Sequence, residues 1–310
     1  MTRMRRATRP LASRRRLAVA LCAALALLLA ACGEEDTAAD PAPADPATTD
    51  EAGTTAATAT DAAATTEAGT DAAGTDAELS LIAEGELLVG SDIAFEPFEF
   101  IEDGENKGFD IDLMNEIGER LGLQVEFVNT PFDGIFTALA GGQFDAIISA
   151  ITITEERQET IAFSDPYFAA NQALAVAAGS DIASVDDLAE GVSVGVQSGT
   201  TGEEYATGEF SAAEIVSFPT SEAAFSALEG DQIDAVFIDL PVVGARVEGT
   251  DTVELAEEVD TDELYGIGLP QDSEALRDAI NAELEAIITD GTYEEIYSTW
   301  FEGDVPEQFQ

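Results

Sequence analysis

The chain has 310 residues and a net charge of −51, because 63 Asp and Glu face only 12 Lys and Arg. This balance argues against nucleic acid as a partner, since phosphate contacts need a basic face. Histidine is absent, which removes the commonest general base and a common metal ligand, so we expect no metal and no other cofactor.

Residues 1–32 have the pattern of a secretory signal. Seven arginines precede an unbroken apolar run from Leu17 to Ala31, whose 15 residues are fewer than the roughly 20 that a spanning helix needs. The run ends at Leu29-Ala30-Ala31-Cys32, which resembles the lipobox of bacterial lipoproteins. We therefore expect Cys32 to be lipidated and the protein to be anchored to the cell membrane, facing outward. A plain signal peptide or an uncleaved anchor is the alternative.

The export route and the segment after the signal follow from composition. Ser13-Arg14-Arg15-Arg16-Leu17 weakly resembles a twin-arginine signal, so both export routes stay open. Cys22 lies inside the signal, which leaves Cys32 as the one cysteine of the mature chain, without an intrachain disulfide. Residues 33–78 hold almost only Ala, Thr, Asp, Glu, Gly and Pro. They cannot bury enough apolar surface to fold, so we predict a disordered acidic linker.

Strands and helices alternate from Leu79 onward, in the order of the chain. The first half predicts strands at 87–91, 125–128 and 144–149, with a helix over 110–121 that ends at Gly122. Asp133 is expected to cap a second helix, which runs through Leu139. Such alternation favours parallel strands covered by helices.

The second half repeats this pattern. Ser184 and Asp187 form a capping-box pattern, a strand is predicted over 192–197, and a helix should follow Gly199. A strand over 233–238 comes next. Helices are then expected over 274–288 and around the aromatic residues from Tyr293 to Trp300, which we read as core residues.

Two segments of the chain echo each other, which suggests two lobes built on one plan. Residues 136–149 and 225–238 match at seven of fourteen positions, and each predicts a helix, a turn and a buried strand. Open α/β sheets bind ligands beyond the carboxyl ends of their strands. Those ends fall at 149–152 in one copy and at Asp239 in the other, so we expect both to line one cleft.

The polar residues at these strand ends suit a free amino acid, which carries one carboxylate and one ammonium group. Arg157 follows a strand end and could form a fork on a carboxylate. Gly199-Thr200-Thr201-Gly202 precedes a predicted helix, whose N–H groups favour anions. Asp239 is the candidate acceptor for the ammonium. A surface arginine, an ordinary turn and a helix cap are the respective alternatives.

The ordered set of motifs resembles the bacterial extracellular solute-binding proteins of family 3, the amino-acid-binding components of ABC importers. Matching segments cover roughly 225 residues in collinear order. They are Ser91–Phe100, Gly108–Leu113, Phe144–Ser149, Ile151–Arg157, Phe163–Tyr167, Val194–Thr201, Asp234–Asp239 and Asp290–Phe301.

The resemblance implies a two-lobed α/β fold of the type II periplasmic binding proteins. Each lobe would hold a mixed or mostly parallel sheet flanked by helices, and a two-strand hinge would join the lobes. The family's crossovers near 168–172 and 263–267 assign residues 79–171 and 264–310 to lobe 1. Residues 172–263 then form lobe 2.

The resemblance also implies the roles of the site residues. Arg157 would clamp the α-carboxylate, with Thr152 and the amides near Thr200 and Thr201 completing the clamp. Asp239 would take the α-ammonium, helped by the backbone near Ala150. Phe95 and Phe132 would form aromatic walls around the ligand. Asp92 would lie at the side-chain end of the ligand, and Ser149 and Gln197 would make two further polar contacts. The two phenylalanines could instead be core residues.

The function implied is capture of a polar amino acid by hinge closure and its delivery to a membrane permease. Asp92 and the acidic body disfavour acidic ligands, so a basic amino acid and glutamine rank close together, ahead of cystine or an apolar residue, with histidine still open. We expect a monomer without catalytic residues. A dehydratase-type enzyme of the same fold and a ligand-presenting sensory module are the alternatives.

Overall fold

The computed structural model describes residues 79–310, which form an α/β structure with two lobes. The predicted signal at 1–32, its Cys32 and the linker at 33–78 lie outside the described residues. Within 79–310, no helix is both long and apolar enough to cross a membrane. The same residues contain no cluster of acidic, cysteine or histidine side chains that could hold a metal ion.

The strands are short, apart from two long ones that pair with each other. In chain order they are β1 Glu86–Ser91, β2 Phe100–Glu102, β3 Glu105–Lys107, β4 Gln124–Asn129, β5 Ala146–Ile147, β6 Ala162–Phe163, β7 Phe168–Ala177, β8 Ser193–Gln197, β9 Glu214–Phe218, β10 Ala235–Asp239, β11 Val253–Tyr265 and β12 Gly268–Leu269.

Eight α-helices lie between or after these strands in the described part of the chain. They are α1 Phe109–Leu121, α2 Phe132–Ala140, α3 Glu155–Gln158, α4 Thr201–Glu209, α5 Ser221–Glu229, α6 Leu240–Gly249, α7 Glu274–Asp290 and α8 Thr292–Trp300. Short 3-10 helices occupy Val185–Asp187 and Glu307–Phe309.

Each lobe is organised around a five-stranded mixed sheet. The first sheet has the order β4-β1-β5-β12-β6, with parallel pairs β1–β4 and β1–β5. The second has the order β11-β7-β10-β8-β9, with parallel pairs β8–β9 and β8–β10. Strand β7 runs antiparallel to both β10 and β11. The chain enters the second sheet after Phe163 and returns to the first after Tyr265.

Alternating side chains bury both faces of each sheet. On β10, Val236 and Ile238 pack with the α5 residues Phe225 and Leu228, whereas Phe237 packs on the opposite face. In the first sheet, Val89 faces the core formed by α1, α7 and α8, and Ile147 faces α2. Because helices cover both faces, the polar ends of the strands remain the place where the two lobes can meet a ligand.

The structure confirms most predicted elements and corrects two of them. Helix α1 ends at Gly122 in the left-handed conformation, and the capping box of Ser184 and Asp187 is present. Asp133 does not cap α2: it lies in the first turn, and Pro131 occupies the cap position. The strand predicted over 144–149 is reduced to β5, because its second half turns into the loop that carries Ser149.

Candidate functional site: a cavity between the two lobes

All eleven residues predicted for the site line one small cavity of about 10 Å³. Most of them follow the carboxyl end of a strand or begin a helix, as expected for an open α/β sheet. The residues are Asp92, Phe95, Phe132, Ser149, Ala150, Thr152, Arg157, Gln197, Thr200, Thr201 and Asp239. Both sheets contribute, so the cavity lies between the lobes.

Arg157 presents its guanidinium to this cavity, and no carboxylate of the described residues pairs with it. Helix α3 holds its backbone, because Thr154 Oγ1 accepts from Arg157 N at 3.1 Å. The guanidinium donates to the carbonyl oxygens of Thr152 at 2.7 Å and Gly199 at 3.2 Å. It lies over the rings of Phe132 and Phe136, 5.5 and 4.8 Å from their centroids.

Arg157 is the exception among the cations of residues 79–310. Every other one has a carboxylate within 4.0 Å: Lys107, Arg120, Arg246 and Arg277. Burial lowers the pKa of Arg157, and the carboxylates of Glu263 and Asp239 oppose that shift. A guanidinium remains charged in proteins. The cavity therefore contains a cation whose charge is not neutralised by direct contact with a described side chain.

Asp239 ends β10 and is buried on the same cavity. It occupies the N-cap position of α6, but its side chain makes no capping hydrogen bond. Instead, its carboxylate accepts from the Gln172 side-chain amide and, at 2.7 Å, from the Tyr265 hydroxyl. Burial raises the pKa of Asp239 to about 7, with Glu263 adding to the rise. A cation placed beside this carboxylate would favour its ionised form and so lower the pKa again.

Asp92 and Gln197 connect the lobes at another wall of the cavity. Gln197 Nε2 donates to Asp92 Oδ2 at 2.8 Å, which joins the end of β8 to the end of β1. Burial raises the pKa of Asp92 to about 6, although hydrogen bonds from the Phe132 backbone and from Gln197 lower it. No cation of the described chain pairs with Asp92.

Ser149 and Ala150 are held from below by a pair of fully buried acids. Ser149 Oγ donates to Glu99 Oε1 at 2.5 Å and accepts from Asp92 N at 3.1 Å. Ala150 has a φ of +46°, and its N–H donates to Asp110 Oδ2 at 2.8 Å. Burial raises the pKa of both Glu99 and Asp110. Two buried carboxyl groups so close cannot both ionise readily, so we expect one to hold a proton at neutral pH.

Thr200 and Thr201 begin α4 at the cavity, and the aromatic residues form its apolar surface. Thr200 Oγ1 caps the helix by accepting from Glu203 N at 3.1 Å, and it donates to Gln197 O at 2.8 Å. Phe95 and Phe132 are each 6% exposed and belong to the hydrophobic cores of the first lobe. Each ring borders the cavity and also packs in the core, so both alternatives from the sequence, a wall of the site and a core residue, describe these phenylalanines.

Two residues that the sequence analysis did not select also reach this site. Glu263 on β11 accepts from the hydroxyls of Thr152 at 2.6 Å and Thr201 at 2.8 Å. Gln172 on β7 donates to Glu263 Oε1 at 3.0 Å and also to Asp239. Gln172 is the first residue of the predicted second lobe. Its position at the crossover between the lobes could have indicated that it lies near the site.

The family profile of the bacterial extracellular solute-binding proteins, family 3, matches residues 87–303. The histidine-binding periplasmic protein of Escherichia coli K12 is 35% identical over 228 residues, which are 70% of this chain and 88% of that protein.

Two solved structures are similar over the same part of the chain. An ancestral arginine-binding protein bound to glutamine has a TM-score of 0.68 and 40% identity, and covers 71% of this chain and 99% of its own. The arginine-, lysine-, histidine-binding protein ArtJ of Geobacillus stearothermophilus has a TM-score of 0.67 and 36% identity, covering 72% and 97%. With the family profile spanning both lobes, this chain belongs to the bacterial extracellular solute-binding proteins, family 3.

Proposed function

We propose that the protein is the extracytoplasmic binding component of an amino-acid ABC importer and captures a polar amino acid in the cavity between its lobes. The observation that carries the proposal is the half-buried guanidinium of Arg157, which lacks a carboxylate partner among the residues described, in a chain of net charge −51. A ligand carboxylate would supply that partner in bidentate geometry. Asp239 would receive the ligand ammonium across the cavity.

The cavity chemistry favours a ligand with a cationic or amide side chain. Asp92 is a buried acceptor without a cation in contact, so a guanidinium, an ammonium or a carboxamide would complete it. An acidic side chain would instead meet like charge. One related protein is named for histidine, another is an arginine-binding protein bound to glutamine, and a third is named for arginine, lysine and histidine. We therefore propose a basic amino acid, with glutamine as the closest competitor.

Binding would proceed by closure of the two lobes around the ligand. Residues 79–171 and 264–310 would move as lobe 1, and 172–263 as lobe 2. Contacts across the cleft are available for the closed form: Gln197 to Asp92, and Ser221 Oγ to Ala94 O at 3.0 Å. A ligand that touches both Arg157 and Asp239 binds the closed form better, and so shifts the population toward it.

The surroundings proposed for the protein follow from its leader. Lipidation of Cys32 would hold the body on the outer side of the cell membrane, as a monomer within reach of a permease, and the acidic linker would act as a tether. We propose binding without catalysis, in agreement with relatives that are named as binding proteins. Cell fractionation tests the anchor: Cys32→Ser should release the protein from membranes, and retention of that variant would contradict it.

A thermal-shift screen of the full chain against the twenty amino acids, ornithine and cystine tests the proposed ligand class. A ligand that binds only the folded state raises the melting temperature, by RT ln(1 + [L]/Kd) in free energy. We expect shifts with basic amino acids or glutamine and none with glutamate or aspartate. A screen without any shift, or with the largest shift from an acidic amino acid, would contradict the proposal.

A further inference from the structure

Glu263 lies on an irregular stretch of β11 and accepts hydrogen bonds from two threonines that line the cavity. The pairing of β11 with β7 shifts register between Val259 and Glu263. Next to this shift, Thr152 forms a bridge with Tyr265, and Ile153 N donates to Leu264 O at 2.8 Å. These backbone contacts bring the Glu263 carboxylate beside Thr152 in one lobe and Thr201 in the other.

The carboxylate fixes the direction of two hydroxyl protons. An ionised carboxylate only accepts hydrogen bonds, and each threonine hydroxyl has one proton to donate. Thr152 and Thr201 both direct that proton to Glu263 Oε2, at 2.6 and 2.8 Å. What remains on each hydroxyl oxygen is lone pairs. Toward the cavity, the two threonines therefore present acceptors, which match a ligand N–H and not a ligand carboxylate.

Gln172 couples this arrangement to Asp239. Its side-chain NH₂ has two protons, and the structure directs one to Asp239 Oδ1 and one to Glu263 Oε1. Gln172 is fully buried, and its carbonyl oxygen has no partner among the described groups. The amide thus holds two carboxylates side by side, with two hydroxyl acceptors next to them.

We infer that Glu263 is a positioning residue for the α-ammonium group of the ligand, which it serves by orienting the hydroxyls of Thr152 and Thr201 as acceptors and by adding a second negative charge beside Asp239. The inference rests on the proposed function and refines it. The Thr152 hydroxyl then belongs to the ammonium end, and the α-carboxylate relies on Arg157 and the first amides of α4.

Two other roles of Glu263 predict different effects of its removal on ligand affinity. If Glu263 instead competed with the ligand carboxylate for the two hydroxyls, its removal would tighten binding. If it only held the lobes together, its removal would weaken the binding of every ligand equally. The sign of the effect, and its dependence on the ligand's own groups, distinguish the three roles.

The experiment is a calorimetric titration of the full chain with three matched ligands. They are L-arginine, its desamino analogue δ-guanidinovaleric acid, and L-argininamide, which lacks the carboxylate. Glu263→Gln removes the charge and keeps the shape of the side chain. Glu254→Gln, an exposed position on the same strand outside the cavity, is the control for charge and strand.

We expect Glu263→Gln to weaken L-arginine and L-argininamide binding by about tenfold or more, the loss typical of a hydrogen bond to a charged group. The desamino analogue should bind wild type and variant alike, and Glu254→Gln should match wild type throughout. Tighter binding of L-arginine by Glu263→Gln, an unchanged affinity, or an equal loss for all three ligands would overturn the inference while leaving the proposed function in place. Failure of wild type to bind any of L-arginine, L-lysine, L-histidine and L-glutamine would overturn both.

Discussion

Charge is distributed unevenly at the scale of single residues. Among the arginines of residues 79–310, Arg157 alone has no carboxylate in contact, and its guanidinium instead donates to two backbone carbonyls and lies over two phenylalanine rings. These neutral partners hold the guanidinium in place without cancelling its charge. Within residues 79–310, no cation forms an ion pair with Asp92 or Asp239, so a ligand that brings both signs of charge would complement this cavity.

Asp92 should decide which side chain the ligand carries. Asp92→Asn removes a negative charge but keeps a hydrogen-bonding group, so we expect L-arginine binding to weaken by about tenfold or more while L-glutamine binding changes little. Calorimetry on the full chain measures both, with the exposed Asp186→Asn as the matched control. An equal loss for both ligands would show that Asp92 does not contact the ligand's side-chain end.

The sequence indicated the eleven cavity residues because most of them are tied to strand ends or helix starts, which periodicity and family motifs reveal. Glu263 escaped because β11 carries several acidic residues in succession, and sequence alone does not show which one turns inward. That choice depends on the register shift between Val259 and Glu263. The shift is set by pairing with β7, whose residues are nearly a hundred positions away, so local patterns could not predict it.

At the scale of elements, the two echoed segments fold alike. Asp145 accepts from the N–H of Leu88 at 2.9 Å, and its counterpart Asp234 accepts from the N–H of Ser193 at 2.8 Å. The turn between helix and strand has a left-handed residue at matching positions, Gly142 and Asp231. The repeated segment thus carries the contact that joins β5 to β1 in one sheet and β10 to β8 in the other. Because the same contact occurs once in each sheet, the repeat predicted two lobes. It did not predict that β5 would be cut short, since that depends on the loop fixed by Asp110.

Gly108 secures the entry to α1, and with it the acid that supports Ala150. Its φ is +130°, and a methyl group there would overlap the carbonyl oxygen of Phe98 and lie 2.8 Å from Glu99 N. We expect Gly108→Ala to lower the free energy of unfolding by about 3 kcal/mol or more. Gly244→Ala, within α6 with nothing near the added methyl, should raise it by about 0.5–1 kcal/mol. Urea denaturation measures both, and equal stabilities of the two variants would contradict this account.

At the scale of the whole molecule, burial raises the pKa of several carboxyl groups. The pKa is raised for Asp92 to about 6, for Asp239 to about 7, and for Glu99 and Asp110 as a buried pair. The unfolded chain releases these protons near pH 4, whereas the folded chain holds them until the raised pKa is passed. Between these limits the folded state binds more protons, so stability must fall as pH rises.

We therefore expect the free energy of unfolding of the ligand-free protein to decrease from pH 4.5 to pH 7.5. Asp92 alone would contribute about 2 kcal/mol of that decrease. Urea titrations at both pH values measure the slope, and Glu99→Gln should make it shallower because one of the four groups no longer titrates. A stability that is constant or rises over this range would contradict the assignment of these acids as buried and unpaired with cations.

At the scale of the whole molecule, we propose that the two lobes hold opposite ends of one amino acid through Arg157 and Asp239. Calorimetry of the full chain with the amino acid that gives the largest thermal shift tests it most directly, comparing wild type, Arg157→Ala and Arg277→Ala. We predict a loss on the order of a hundredfold or more for Arg157→Ala, because the ligand carboxylate would be buried without its counter-charge, and wild-type affinity for Arg277→Ala. Equal affinity of wild type and Arg157→Ala would contradict the account.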